Sequence, residues 1–265
     1  MNVYRQEIKM AIKPCLYWAF GMLLTLLFFM LMFPAVSKDA ALFNLIVSKL
    51  PPELTRAMGL TTLDLSSVLG FYAYMFLVIL MVGSVYALKS GISVLSEEVR
   101  AKTADFLISK PISRTSIASG KLLSVLSLLV LQIIVYVIGT IIIIRLAIIQ
   151  DYNHGVFMLI NLSLFLVQLY FAALGFLLGV VINRIKSVLP LSLGLVFAFM
   201  VVQMINQSLA DPVLAYLTPF AYYNLTEIIG GGGYNSNFLI TEGIAIAVFI
   251  FLGYFIYNRK DLPSL

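Results

Sequence analysis

Long apolar runs dominate the chain, and six of them are long enough to cross a lipid bilayer. A helix needs roughly 20 apolar residues to span the hydrocarbon, where lipid offers the backbone no hydrogen-bond partner. Alternating segments of about ten residues, typical of outer-membrane β-strands, do not occur in the pattern. The predicted spans cover residues 15–36, 67–88, 121–144, 156–182, 187–208 and 239–257. The pattern therefore predicts an all-α membrane protein with six transmembrane helices in one domain, residues 1–265.

Three segments outside the spans have patterns of their own. Before the first span, basic and apolar residues fall on different faces of one helix, which predicts an amphipathic helix on the membrane surface. Residues 37–66 are partly apolar but are interrupted by Pro51-Pro52, which favours short interfacial helices. Residues 209–238 contain Asp-Pro, Thr-Pro and Gly-rich breaks, which favour a re-entrant outer segment before the last helix.

The composition agrees with a membrane protein, because 62% of the residues are hydrophobic and only 11% are charged. Thirteen of the 17 Lys and Arg residues lie in one set of connecting segments, and four lie in the other. Because positive residues are held on the cytoplasmic side, both termini are predicted to be cytoplasmic in a bacterial-type plasma membrane. Topology and contact with membrane lipids thus explain the net charge of +5, and no nucleic-acid partner is needed.

Few residues could carry enzyme chemistry. The chain has one cysteine, Cys15, and one histidine, His154, which excludes a disulfide framework and a metal site with several Cys or His ligands. His154 falls in a short outer turn and is predicted to be a solvated loop residue. Glu97 and Glu98 match the acidic pair of an intramembrane protease motif, but Lys102 stands where that motif has Arg. We therefore assign no catalytic residue and no metal ligand.

The long connection between the second and third spans, residues 89–120, has the pattern of helix, break, helix. Ser96 is predicted to cap a short helix, Glu97 to Ser109, whose acidic first turn suits a helix N-terminus. Pro111 then ends this helix, and Ser113 caps the next one. A short helix with an apolar patch, held away from the bundle, has no core of its own to join. The pattern therefore predicts a docking element for a partner protein.

Residues in this connection resemble the signature of ABC-2 type transporter permeases, the membrane halves of type V ABC exporters. The matching residues are Glu98, Lys102-Thr103, Phe106-Leu107, Ser109 to Arg114 and Gly120-Lys121. The resemblance implies that the helix from Glu97 to Ser109 is a coupling helix seated in a groove of a separate ATPase. The residues that it assigns to ATPase coupling are Glu97, Glu98, Arg100, Thr103, Phe106, Leu107, Lys110, Pro111 and Arg114.

The resemblance also implies partners and cofactors. Two copies of an ABC ATPase subunit would bind ATP and Mg, and a second permease subunit, identical or homologous, would complete the pathway. The sequence itself contains no G-x-x-x-x-G-K-[ST] loop, so this chain is not expected to cradle ATP phosphates. ATP hydrolysis is therefore expected on the partner chain, with no cofactor and no enzyme activity on this one.

Polar and aromatic side chains within the spans are candidates for a translocation path. They are Tyr72, Tyr74, Gln132, Gln168, Phe197, Met200, Gln203 and Asn206. Such a path suits export of an amphipathic or hydrophobic substrate, such as a peptide antibiotic, a lipid-like molecule or a drug. For the glutamines, hydrogen bonding between helices is the alternative interpretation. No acidic or basic residue falls clearly at mid-membrane, which disfavours secondary active transport.

Two other functions fit the same pattern. The chain could be a non-transporting membrane anchor, or an immunity subunit that sequesters a ligand. It could also be a sodium or other ion efflux permease. The sequence alone does not separate these from an exporter of larger substrates.

Overall fold

The computed structural model describes residues 3–39, 45, 49–57, 63–100, 113–147, 151–182, 185–209 and 211–259. The long helices are α1 (Val3–Lys38), α3 (Val68–Arg100), α4 (Arg114–Ala147), α5 (His154–Val181), α6 (Val188–Leu209) and α9 (Ser236–Arg259). The short pieces are α2 (Pro52–Ala57), α7 (Pro212–Ala215), a 3-10 turn (Pro219–Ala221) and α8 (Leu225–Ile229). Every regular element in these ranges is helical, and six helices are long and apolar enough to cross a membrane. The prediction of an all-α, six-helix membrane protein is confirmed.

Helix α1 joins two segments that the sequence pattern separates. Its 36 residues are about 54 Å long, so it includes both the predicted surface helix and the first span. Pro14 lies inside α1. Its missing backbone N–H weakens the helix but does not end it, because the flanking residues favour helix. In its first turns Tyr4 and Ile8 are half-buried while Arg5 and Lys9 are exposed, so the predicted amphipathic character is present.

Helices α3 and α5 form the centre of the bundle. In each, 61% of the most apolar stretch is buried inside the chain, against 11% for α9. Glycines allow the two backbones to approach closely: a Cβ atom on Gly91 would lie 2.3 Å from the carbonyl oxygen of Ala172, and one on Gly175 would lie 2.5 Å from that of Leu88. Gly175 and Gly179 therefore serve helix packing, as their G-x-x-x-G spacing indicates.

Both described ends of the chain lie at one end of the bundle. The hydroxyls of Tyr4 and Ser127 are 3.1 Å apart, and those of Ser119 and Tyr254 are 2.8 Å apart. Because Ser119 and Ser127 both belong to the first half of α4, the start of α1, the start of α4 and the end of α9 are neighbours. We call this the basic end, because exposed Lys and Arg side chains of α1 and α9 gather there. The opposite, distal end holds residues 151–153 and 211–235.

The distal segment before α9 is folded from α7, the 3-10 turn and α8. Thr218 donates a hydrogen bond to the Phe199 carbonyl of α6 at 3.1 Å, and Tyr234 donates one to the Leu159 carbonyl of α5. Gly231 and Gly233 have φ angles of +86° and +67°, which L side chains rarely adopt, and they turn the chain into α9. The breaks that the sequence predicts are therefore present, whereas the re-entrant position of the segment in the membrane stays a prediction.

Candidate functional site

The predicted ATPase-coupling residues fall mostly outside the described part of the chain. Residues 101–112 are not among the described ranges, and of Glu97, Glu98 and Arg100 only the backbone is described. The predictions for Thr103, Phe106, Leu107, Lys110 and Pro111 thus stay predictions. The start of α4 is described, and there the Ser113 hydroxyl accepts a hydrogen bond from the Ser116 amide at 3.2 Å. This confirms Ser113 as the cap of α4, which begins at Arg114.

The predicted start of the coupling helix is wrong. Helix α3 runs without a break to Arg100, and the Ser96 hydroxyl donates to the Ile92 carbonyl at 2.8 Å instead of capping a new helix. The reason is that Gly91 packs closely against α5 and does not break the helix. Glu97 and Glu98 consequently lie in the last turn of α3, near the negative end of its dipole and not at a positive N-terminus.

A partly buried ion pair joins three helices at the basic end. The Lys121 ammonium is 2.6 Å from the Glu7 carboxylate and also donates to the Val94 carbonyl at 2.8 Å. Lys121 is 1% exposed, so α4 is tied through it to both α1 and α3. This contact was not predicted from the sequence, because Lys121 adjoins a connecting segment rich in basic residues. The apolar residues Ala118, Leu122 and Val125 on the same helical face could have indicated its burial.

Polar side chains in the helix interiors form two separate hydrogen-bonded groups. In the first, Tyr72 of α3 donates to Asn161 of α5 at 2.8 Å and lies 3.3 Å from the hydroxyl of Tyr136 of α4. In the second, Gln168 donates to the Oε1 atom of Gln132 at 3.0 Å and to the Gly83 carbonyl at 3.2 Å. All of these side chains are fully buried or nearly so. The glutamines therefore make hydrogen bonds between helices, which is the alternative interpretation of their role.

The other candidate path residues have different surroundings. Phe197 is 62% exposed on the outer surface of α6, while Tyr74 and Met200 are half-buried. Gln203 is buried, and Asn206 is half-buried one turn further along α6. Within one copy of the chain, therefore, the eight candidates do not line a single channel. Gln203 and Asn206 lie in the last two turns of α6, near the distal end.

A buried carboxyl group at the distal end is absent from the predicted set. Glu242, in the second turn of α9, is 2% exposed and accepts a hydrogen bond from the Tyr223 hydroxyl. Burial is the main cause that raises the pKa of Tyr223 well above its usual range, and the negative charge of Glu242 is the second cause. The phenol therefore stays protonated and can donate. The burial of Glu242 was not predicted from the sequence, because Glu242 lies near the end of a span, where acidic residues are usually solvated.

A match to a known protein family covers nearly the whole chain. The sequence profile described as ABC-2 family transporter protein matches residues 1–262. The chain belongs to this family. A search of curated proteins finds no significant match. The resemblance noted in the α3–α4 connection is thus confirmed by a match that also includes every described helix.

Membership in the ABC-2 family fixes the general role of the chain. It is a permease, the membrane component of an ABC transporter, and a multi-pass membrane protein. The family is one of transport components rather than catalysts, and it implies an ABC ATPase as partner.

We expect Tyr223→Phe to destabilise this permease by about 1 to 3 kcal/mol, since it removes the hydroxyl that donates to buried Glu242. The measurement is the thermal unfolding midpoint of the purified chain in detergent. Tyr216→Phe is the matched control, because Tyr216 belongs to the same distal segment and is 45% exposed. Equal midpoints for the two variants would show that the Tyr223–Glu242 bond contributes nothing.

Proposed function

We propose that this chain is the permease subunit of an ATP-driven exporter that moves an amphipathic or hydrophobic substrate out of the cell. The observation that carries the proposal is the family match over residues 1–262, together with six helices able to cross a membrane. ATP and Mg are bound by two copies of a partner ATPase. Co-isolation of an ABC ATPase with the tagged chain is the experiment that tests this assignment.

In the proposed orientation the basic end faces the cytoplasm. The exposed side chains of Arg5, Lys9 and Lys13 on α1, with Lys186 and Arg259, support it, since positive residues are retained on that side. Both termini and the α3–α4 connection then lie in the cytoplasm, where the ATPase is. The distal segment, residues 211–235, faces outward.

Cysteine labelling tests this orientation. In a Cys15→Ala background, Asp151→Cys should react with a membrane-impermeant maleimide added to intact cells, because Asp151 is exposed at the distal end. Lys186→Cys, exposed near the basic end, should react only after the membrane is opened. Labelling of Lys186→Cys in intact cells would reverse the proposed topology.

Coupling is proposed to pass through residues 89–120 into the bundle. The supporting contact is the buried Lys121, because it connects the start of α4 with α1 and the end of α3. A displacement of the connection by the ATPase would therefore be transmitted to three helices at once. Packed helices move as units rather than deforming continuously, so such a displacement can reach the distal end.

The pathway is proposed to form between two permease subunits. Tyr72, Gln132 and Gln168 fill the interior of one bundle, Tyr72 in one hydrogen-bonded group and the two glutamines in another, which leaves little room for a substrate there. Helices α6 and α9 have large apolar side chains on their surfaces, such as Phe197 and Phe251, exposed by 62% and 67%. Such surfaces suit contact with lipid, with a second permease subunit, or with an amphipathic substrate between the two.

A further inference from the structure

A cavity of about 270 Å³ opens at the distal end, between the end of α6, the segment from Asp211 to Gly233, and the start of α9. Its lining includes Asn206, which the sequence analysis placed on the translocation path. Pockets for drug-sized ligands usually enclose about 300 to 1,000 Å³. This cavity therefore has room for one end group of a larger molecule, or for a ligand about as large as an amino acid.

The lining of the cavity is acidic. Asp211 and Glu227 both contribute to it, and none of the described residues that line it is basic. Each carboxylate is held in place by its own segment: Asp211 accepts from the Val213 amide at 2.7 Å, and Glu227 accepts from the Asn224 side chain at 2.8 Å. A carboxylate has about four acceptor positions, so each can still accept hydrogen bonds from a ligand.

Acceptor oxygens without a donor occur in the lining of this cavity and one helical turn away from it. The Oδ1 atom of Asn206 is buried without a hydrogen-bond partner, and so is the Oε1 atom of Gln203, one turn deeper on α6. On α9 the Oε1 atom of Glu242 is also unpartnered, and this residue is 2% exposed. Buried polar atoms in native proteins are nearly always bonded. The region is thus short of hydrogen-bond donors, not of acceptors.

Two aromatic rings form part of the cavity wall. Tyr222 and Phe238 are stacked, with ring centroids 5.3 Å apart and planes inclined by 13°. Phe238 lies one helical turn before Glu242 on α9. The Tyr222 hydroxyl is already used, since it donates to the Tyr216 carbonyl at 2.8 Å. The rings therefore offer the cavity apolar surface.

We infer that the cavity binds a protonated amine attached to an apolar group, and that the exported substrate carries such a group. The carboxylates supply charge, Asn206 supplies an acceptor, and the Tyr222–Phe238 wall packs against the apolar part. The role of the cavity as a substrate exit site rests on the proposed function, whereas binding of the amine itself does not.

Binding of phenethylammonium to the full-length chain in lipid nanodiscs tests this inference, with 2-phenylethanol as the neutral probe of matching shape. Titration calorimetry should give the amine an affinity at least about tenfold higher than that of the alcohol, because only the amine can form charge-assisted hydrogen bonds with the two carboxylates. The double variant Asp211→Asn/Glu227→Gln should lower the amine affinity by at least about tenfold and leave that of the alcohol unchanged. Both substitutions keep an acceptor oxygen for the local bonds of the segment.

Asp151→Asn is the matched control, since it removes one negative charge from the same end of the bundle but outside the cavity. It should change the amine affinity by less than about twofold. If the double variant does not fold, Asn206→Leu replaces it and should also weaken amine binding selectively.

The inference would be overturned by equal affinities for the amine and the alcohol, or by no binding of the amine up to about 10 mM. It would also be overturned if Asp151→Asn lowered the amine affinity as much as the double variant does. The assay uses neither ATP nor an ATPase. Its failure would therefore leave the proposed export function standing, and failure of that function would leave a measured binding site.

Discussion

Lys121→Met is expected to lower the free energy of unfolding of the chain by about 1 to 3 kcal/mol, because it leaves the half-buried Glu7 carboxylate and the Val94 carbonyl without their donor. Lys121 is 1% exposed, and its ammonium contacts both Glu7 and the Val94 carbonyl. Methionine fills nearly the same volume, so the loss reports on the charge and its hydrogen bonds rather than on a cavity. The readout is the thermal unfolding midpoint of the purified chain.

Lys186→Met provides the control for this prediction, because Lys186 is exposed near the same end of the bundle and should change stability by less than about 0.5 kcal/mol. The double variant Glu7→Leu/Lys121→Met should recover part of the loss, since no unpaired carboxylate then remains. If Lys121→Met and Lys186→Met unfold at the same temperature, the contact does not hold the three helices together.

Phe106→Ala/Leu107→Ala is expected to abolish stable binding of the ATPase. Where both side chains fill a groove of the partner, each truncation costs about 2 to 5 kcal/mol, and 2 kcal/mol alone weakens binding about 30-fold. The measurement is recovery of the ATPase with the tagged permease at equal expression. Met10→Ala, also an apolar truncation and 59% exposed near the basic end, is the control. Unchanged recovery with the double variant would show that this apolar pair is not the docking element.

Glu98→Lys should have a smaller effect on the same recovery. Loss of an exposed ion pair with the ATPase is worth at most about 1 kcal/mol. The structure removes a second penalty that the sequence suggested, because Glu98 lies in the last turn of α3, where a positive charge is favourable to the helix. We therefore expect the apolar pair, not the acidic residue, to dominate docking.

The spans were predictable because length and apolarity alone determine whether a helix can cross a bilayer. Helix ends were not: α1 continues through Pro14, and α3 continues past Gly91 and Ser96. Each of these residues can end a helix, and only its tertiary contacts decide whether it does. Gly91 faces the backbone of α5, a contact between residues about 80 positions apart that no local pattern reveals.

The burial of two charged residues was also not predictable from the local sequence pattern. Lys121 and Glu242 both lie near the ends of predicted spans, where a charged residue usually reaches water. Their partners, Glu7 and Tyr223, come from other segments of the chain, so burial and pairing become visible only in the folded bundle. The pair Gln132 and Gln168 was easier to anticipate, because an amide deep within a helix span needs a partner on another helix.

ATP hydrolysis by the complex isolated from its native membrane tests the central claim most directly. The tagged chain should elute with an ABC ATPase subunit, and hydrolysis should follow that subunit and be lost from fractions that contain the Phe106→Ala/Leu107→Ala chain. The permease purified free of every other subunit should hydrolyse no ATP. A chain that elutes from its native membrane without an ABC ATPase, or that hydrolyses ATP alone, would contradict its assignment as the permease of an ATP-driven exporter.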